Sequence, residues 1–485
     1  MVMASRTSPD GVTPLKIKGE IDEVRLEAAL GHKQELKRNF GLWSLTSLGI
    51  VIANSWASTG GTIVAALRNG GPMAVIYGLI LVSIFYTAIS ASLAELASSM
   101  PSAGGVYYWS SVLSRNRGRG AGFFTGYLNA CAWLLSASSM SSMLGNEAVA
   151  MYLLNNTSVR WQNWQVFICF QVVNWACCAI VCLGNRFIPL INRIALALSM
   201  SGLLATIVVL LVMPTRYASN AQVWTEYHNK TGGWSDGLIR LSDCPLLLHP
   251  RPRRRLLQQH RLLPTAEIYR QATGSNAGAI ALIAVLFLAT FPTLIGTFVT
   301  GGRMWWSLAR DNATPFASYF AHVHPTLNCP VRATVAMSTL VTCLGCIYIG
   351  STTAFQALIS SFIVLSSLSY FGAILPHVLS CRRNMVPGPF YMGQKLGMTV
   401  NIVALIYILV TVVFFCFPLE LPVTVQNMNY TSVITTGLMV LMGLWWLAGK
   451  EGRRSFIDVA SIAAPPLAEH PAFASRHLES PTMIL

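Results

Sequence analysis

Charge is scarce in this chain. Only 11% of its 485 residues are Asp, Glu, Lys or Arg, and just 18 are acidic, too few to give a large soluble domain a solvated surface. The chain also has no phosphate-binding loop and no nucleophile motif. His249, His260, His322 and His324 sit in loops without metal-ligand spacing. An enzyme is therefore not expected, and neither is a cofactor or a metal. The eleven cysteines, among them Cys131, Cys169, Cys177, Cys178, Cys182, Cys343, Cys346 and Cys416, scatter through apolar stretches without zinc or disulfide pairing. The first forty residues carry Lys16, Lys18, Lys33, Lys37 and Arg38 but no short apolar core with a small-residue cleavage site, so they read as a cytoplasmic tail rather than a signal peptide.

What fills the chain instead is apolar. Hydrophobic residues make up 53%, and about ten runs reach the roughly twenty residues needed to cross a bilayer core. Their Gly, Pro and charged borders place them near 41–67, 73–98, 121–147, 164–183 and 191–213, then near 276–300, 332–350, 355–378, 397–417 and 431–448. The net charge of +15 does not point to nucleic acid, because the cations lie between spans. With the amino terminus inside, Arg115, Arg117, Arg119, Arg186, Arg193, Arg303, Arg310, Arg332, Arg382, Arg383 and Lys395 join the two tails on the cytoplasmic face, which is the bias that orients multi-pass proteins. Sequons at Asn155, Asn156, Asn229 and Asn429 then fall outside as glycosylation candidates, whereas Asn312 falls inside. The reading is an all-α, multi-pass protein of the lipid bilayer, with both termini, 1–40 and 449–485, in the cytoplasm.

Span one is not uniformly apolar. Asn54, Ser55, Trp56, Ala57, Ser58, Thr59, Gly60 and Gly61 form a small, polar run in mid-membrane, where backbone groups need protein partners or a wet cavity. Such a run unwinds a helix to expose N–H and C=O groups to a solute, or it lets two helices pack closely. The sequence alone leaves both readings open.

The sharpest local signal closes span two: Glu95-Leu96-Ala97-Ser98-Ser99-Met100-Pro101-Ser102-Ala103-Gly104-Gly105-Val106-Tyr107-Tyr108-Trp109. Pro101 ends a helix, the Gly pair permits a tight re-entry turn, and the aromatics are expected at the membrane interface. With Leu36-Lys37-Arg38-Asn39-Phe40, Gly122-Phe123-Phe124-Thr125-Gly126-Tyr127-Leu128-Asn129 and Gly302-Arg303-Met304-Trp305-Trp306-Ser307-Leu308-Ala309-Arg310-Asp311, it resembles the fungal amino acid and choline permease branch of the amino acid, polyamine and organocation superfamily. The likeness covers most of residues 36–237 and 264–450. It implies a twelve-helix carrier of two inverted five-helix repeats, the first over 41–213, that moves a small amine or amino acid, usually with a proton.

Carried onto this sequence, the resemblance puts substrate against Asn54 to Ser58, faced by Asn129 and Trp133. Trp56 and Trp133 would offer aromatic faces to a quaternary ammonium, worth roughly 2 kcal/mol when desolvated, or serve as packing aromatics. Asn129, a buried amide, needs partners. Glu147, near the outer end of span three, reads as a proton or cation site or as an interfacial carboxylate reaching water. Glu95 reads as a gate or loop anchor.

The pattern breaks between Asp236 and Pro264. Where the family has helices six and seven, residues 237–263 form an Arg-rich stretch with Arg251, Arg253, Arg254, Arg255 and Arg261, which no bilayer span tolerates. It lies in the outer loop, 214–275, and the remaining helices fill 276–448. Losing two helices keeps every later orientation but removes the second broken helix of the family. A shifted reading frame, a misread splice junction and a divergent or degenerate product all fit. Two functions follow: a permease for choline or a 4-aminobutyrate-like compound, with alkaloids or amine precursors as related cargo, or a non-transporting remnant or sensor.

Overall fold

The computed structural model describes residues 41–57, 69–114, 118–156, 159, 161–213, 219–224, 228–229, 263–417, 423–424 and 428–448. Helices α1 (Leu42–Ala53), α2 (Gly71–Ser99), α3 (Val106–Leu113), α4 (Gly118–Asn155), α5 (Asn163–Leu183), α6 (Ile188–Val212) and α7 (Asn220–Trp224) form the first part. Helices α8 (Pro264–Thr273), α9 (Asn276–Arg310), α10 (Ala317–Phe320), α11 (Val331–Gly350), α12 (Thr352–Leu379), α13 (Gln394–Phe414) and α14 (Thr431–Ala448) complete it. Among the described residues the one strand pair is Asn69–Gly70 against His228–Asn229, antiparallel. Of the aberrant stretch 237–263 only Leu263 is described.

Among the described residues, seven helices are long and apolar enough to cross a membrane: α2, α5, α6, α9, α11, α12 and α13. Two shorter apolar segments, Leu42–Ala57 and Thr431–Leu447, stand at the first and last expected spans. The expected third span is α4, which falls outside the seven because Ser136, Ser138, Ser139, Ser141, Ser142, Asn146 and Glu147 dilute its apolar character. Those polar residues are affordable only in the interior. There α4 packs on α9, α12, α3 and α5, and Ser138, Ser141 and Ser142 are buried. The largest apolar cluster joins α4, α5, α9, α11 and α12 through Leu144, Phe170, Phe298, Tyr348 and Phe355. Side chains such as Leu204, Leu211, Leu444 and Leu447 stay exposed, as lipid-facing surfaces require.

Close approach of α3 to α4 depends on Gly118, Gly122 and Gly126, four residues apart on one face, a small-residue spacing that lets backbones touch. A Cβ added at Gly122 would sit 2.9 Å from Ser111 Cβ and 3.2 Å from the Tyr107 carbonyl oxygen. Neither atom belongs to a flexible tip. Gly122→Leu should therefore destabilise the protein by about 1–3 kcal/mol, read as a lower thermal midpoint in detergent. Gly120→Ala, which meets open space, should leave the midpoint unchanged.

Candidate functional site

The first helix breaks where the sequence turns polar. α1 stops at Ala53, and Asn54 leaves helical geometry (φ −1°, ψ 56°) before Ser55–Ala57 turn helical again. Asn54 Nδ2 donates to the carbonyl oxygen of Ala289 at 2.9 Å and to Thr293 Oγ1 at 3.2 Å, both on α9. Its Oδ1 accepts from Ser199 Oγ of α6 at 3.1 Å, and Ser199 Oγ in turn accepts from Trp56 Nε1 at 3.0 Å. Thr293 Oγ1 donates to the Val51 carbonyl oxygen at 2.8 Å, taking up a backbone acceptor near the broken end. Pro292 lies beside these contacts. It has no N–H for the carbonyl one turn back, which loosens α9 at the same level. Three helices thus exchange polar groups at one depth, in an interior where unpaired groups are costly.

Within this node Ala57 is buried, Trp56 half-buried and Ser55 exposed. Ser58 lies outside the described residues. Asn129 is also buried, and its Nδ2 donates to Ser369 Oγ of α12 at 2.9 Å. Trp133 packs between two apolar clusters and reaches Gly301 of α9. The structure therefore joins Asn54 and Trp56 through Ser199, whereas Asn129 is met by α12. Along α9, Thr293 and Gly301 are separated by about 12 Å at 1.5 Å per residue, so the Trp133 contact lies about two turns from the Asn54 contact.

Glu147 does not reach water as an interfacial carboxylate would. It is fully buried, and neither carboxyl oxygen has a hydrogen-bond partner. It lies near α8, whose Tyr269 packs with Ala150 and Leu154 of α4. Burial, with the Glu147 charge adding to it, holds the Tyr269 hydroxyl above the usual phenol range. α8 starts at Pro264 and ends on Gly274 in the left-handed region (φ 68°); Arg270 pairs with Glu267 across one turn.

The hallmark turn is an anchor. Its aromatics face the protein interior: Tyr107, Tyr108 and Trp109 are buried, because each aromatic side chain reaches across to another element or packs beneath one. Trp109 Nε1 donates to the Met100 carbonyl oxygen at 2.8 Å. Tyr107 Oη donates to Asp311 Oδ2 at 2.7 Å, and Arg310 Nε pairs with Asp311 Oδ1 at 3.1 Å. Burial and then the Asp311 charge push the Tyr108 hydroxyl up to about 12. Gly105 takes φ 53°, ψ −125°, a backbone state that glycine adopts at low cost. Glu95 grips Arg382 with two hydrogen bonds, 2.9 and 2.6 Å, both side chains fully buried. Met392 N donates to Glu95 Oε1 at 3.1 Å, and Phe390 N donates to Ser98 Oγ at 2.8 Å. The end of α2 is thereby tied to the α12–α13 connection.

Several partners escaped the sequence reading. Ser199, Ala289, Thr293, Ser369 and Arg382 carry no local motif, and Arg382 looks like one more orienting cation. The glycine spacing before Tyr127 was a legible signal for the α3–α4 contact. Of the sequon residues, Asn155 is exposed at the end of α4, and Asn156 Nδ2 donates to the Tyr152 carbonyl oxygen. Asn229 lies in the strand pair. Asn429 Nδ2 donates to the carbonyl oxygens of Phe415 (2.7 Å) and Phe417 (2.9 Å).

A nearly all-helical bundle with seven membrane-length apolar helices, a broken first helix and a polar interior defines a multi-pass membrane protein of the carrier class. The chain belongs to the amino acid permease family, whose profile matches residues 40–241 and 255–440. Its relatives include the choline transporter of Saccharomyces cerevisiae, 30% identical over 499 aligned residues, covering 91% of this chain and 87% of that one. The amino-acid permease BAT1 of Arabidopsis thaliana is 24% identical over 493, covering 88% and 94%. A solved manganese transporter of Eremococcus coleocola is a loose likeness, 14% identical with a TM-score of 0.36, covering 88% of this chain and 98% of that one. Both sequence alignments run longer than the 485 residues of this chain, so these relatives carry residues that it lacks. The family profile is interrupted at 242–254, inside the Arg-rich stretch.

Proposed function

We propose that this transporter carries a small organic amine or amino acid, choline-like or 4-aminobutyrate-like, as a secondary active, proton-coupled permease of the plasma membrane. Both termini are cytoplasmic in this reading, and Asn155 and Asn156 face outside as glycan acceptors. The supporting observation is the break of α1 at Asn54, held open by Ser199, Ala289 and Thr293. Backbone groups freed at such a break, with Trp56 joined to Asn54 through Ser199 and with Asn129 and Trp133 as further candidates elsewhere, on α4, would suit a cationic head group or a carboxylate. The similarity to a choline transporter over nine tenths of the chain favours a choline-like cargo. Labelled choline and 4-aminobutyrate should enter cells that lack their own carriers, with saturation. Correct surface expression without uptake of either would sink the reading.

Glu147 is the coupling group in this proposal. A carboxyl that takes and releases a proton can lie in an apolar site without a counter-charge. Uptake by the native chain should rise as the outside is acidified, and Glu147→Gln, fixed in an uncharged form, should give a flat pH profile at comparable surface level. An unchanged profile would remove Glu147 from the mechanism.

A second reading has its own observation. The interrupted profile and the longer relatives support the loss of two helices at 237–263, and with them half of the expected site. A chain of that kind is a non-transporting remnant or sensor. Transport of an alkaloid or amine precursor stays within the first reading as alternative cargo. Reading the transcript across the codons for 236–264 separates them: two further apolar helices in frame restore the carrier, and the present text confirmed favours the remnant.

A further inference from the structure

Three thiols meet where α5 ends. Cys178 and Cys182 stand one turn apart on α5, both buried, and Cys329 is buried in the connection that leads into α11. The Cys182 thiol lies within hydrogen-bonding reach of the Cys178 and the Cys329 sulfurs. Cys178 Sγ donates to the Thr334 carbonyl oxygen of α11 at 4.0 Å, and the Thr334 side chain also reaches Cys329. These contacts set Cys329 against one face of α5.

Hydrogen bonds outside the thiols fix the same meeting. Asn185, just past the end of α5, donates through Nδ2 to the carbonyl oxygens of Leu327 at 3.3 Å and Asn328 at 2.7 Å. His324 N donates to the Cys329 carbonyl oxygen at 3.1 Å and Asn328 N to the His324 carbonyl oxygen at 2.9 Å, which folds 324–329 into a tight turn. Val181 and Cys329 share one apolar cluster. Pro325 and Thr326 in the turn are exposed, so the thiols lie beneath a surface turn, which opens locally more readily than a packed helix. They do not form a metal cage: among the described residues no group of three His, Cys, Asp or Glu is arranged to hold an ion.

We propose that Cys182 and Cys329 form a reversible disulfide that ties the end of α5 to the entry of α11 when the protein meets a peroxide. Cys178 is not the partner of Cys182, because side chains one helical turn apart point the same way, and joining their sulfurs would distort the helix. Cys329 is the attacking sulfur. It stands outside the spanning helices, and its thiol is held below the ordinary thiol range, first by the contact with Cys182 and further by the nearby Arg303 charge, against the effect of burial. The thiolate attacks one peroxide oxygen, the O–O bond breaks, and the released hydroxide takes the proton that the thiol gave up and leaves as water. The Cys182 sulfur then attacks the sulfenic acid, an S–S bond replaces the S–O bond, and the second oxygen leaves as water with the Cys182 proton. Two thiols are oxidised and one peroxide is reduced to two waters. With both termini cytoplasmic this end of α5 faces the cytoplasm, where thiols rest reduced, so the bridge is an oxidised state of the protein, and it is independent of the cargo.

Peptide mapping of the full chain, purified reduced in detergent, tests it. Hydrogen peroxide is added at a dose that oxidises the exposed Cys381, and the remaining thiols are alkylated in denaturant before digestion without reductant. Mass spectrometry should find the Cys182 peptide joined to the Cys329 peptide, two hydrogens lighter than their sum, and dithiothreitol should separate them. Cys182→Ala or Cys329→Ala should abolish the joined species, and Cys178→Ala should leave it in place. Both thiols recovered alkylated at that dose, or Cys329 carried to a sulfinic acid with no joined peptide, overturns the proposal. Cys182 found bridged to Cys178 instead overturns the pairing. The map of the native chain decides by itself should a variant fail to fold.

Discussion

Arg382→Met should cost about 3–5 kcal/mol of stability, the range for removing one partner of a buried ion pair. The loss is large because Glu95 would stay behind with no cation, inside a site where neither side chain touches solvent. More than the pair is at stake. Asn401, with its amide oxygen toward Arg382 Nη1 at 3.0 Å and its nitrogen toward Ser92 Oγ at 2.7 Å, joins α2 and α13 to the same network, and Met392 N leans on the Glu95 carboxylate. Arg382→Met should therefore show a sharp fall in monodisperse protein on size exclusion and a lower thermal midpoint. The double variant Glu95→Leu with Arg382→Met removes both charges and should recover most of the loss, because a hydrophobic pair of similar volume is often as stable as the buried ions. A single variant as stable as the native protein would show that the pair does not hold α2, α12 and α13 together.

Asn54→Leu should lower uptake at least about tenfold at matched surface level, with a stability cost of about 1–3 kcal/mol. Leucine fills a similar volume but makes none of the three hydrogen bonds that hold the break of α1 against α6 and α9. Ser199 Oγ and Thr293 Oγ1 keep other partners, Trp56 Nε1 and the Val51 carbonyl oxygen, so the fold should survive while the geometry of the break relaxes. Asn129→Leu should also reduce uptake, although Asn129 is held by Ser369 of α12 rather than by the break. Uptake by Asn54→Leu equal to that of the native chain would detach the break from the transport route.

How far a feature reaches along the chain decides whether it is legible in the sequence. The spans at 164–183 and 431–448 were legible nearly to the residue, since α5 is Asn163–Leu183 and α14 is Thr431–Ala448. Each is a continuous apolar run with polar borders, a property of neighbouring residues alone. α9 outran its expected end at 300 and continues to Arg310, because Trp305, Trp306 and Leu308 keep it apolar past the glycine pair. The polar run after Ala53 announced the break of α1, but nothing local named Ser199, Ala289 or Thr293 as the groups that receive it. The hallmark named its turn correctly, but nothing local showed that its aromatics would be packed inside the protein, where α4 and α9 close over them.

The amino-acid sequence by itself determined that this is an all-helical membrane protein, roughly where its helices run, and where the first of them fails. Hydrophobicity, helix breaking and turn chemistry act over a few residues. Only the tertiary structure decided that Glu95 meets Arg382, that Asn54 is shared by three helices, and that Glu147 is sealed from water. Those pairings join residues far apart in the chain, and a contact of that kind exists only once the helices have packed.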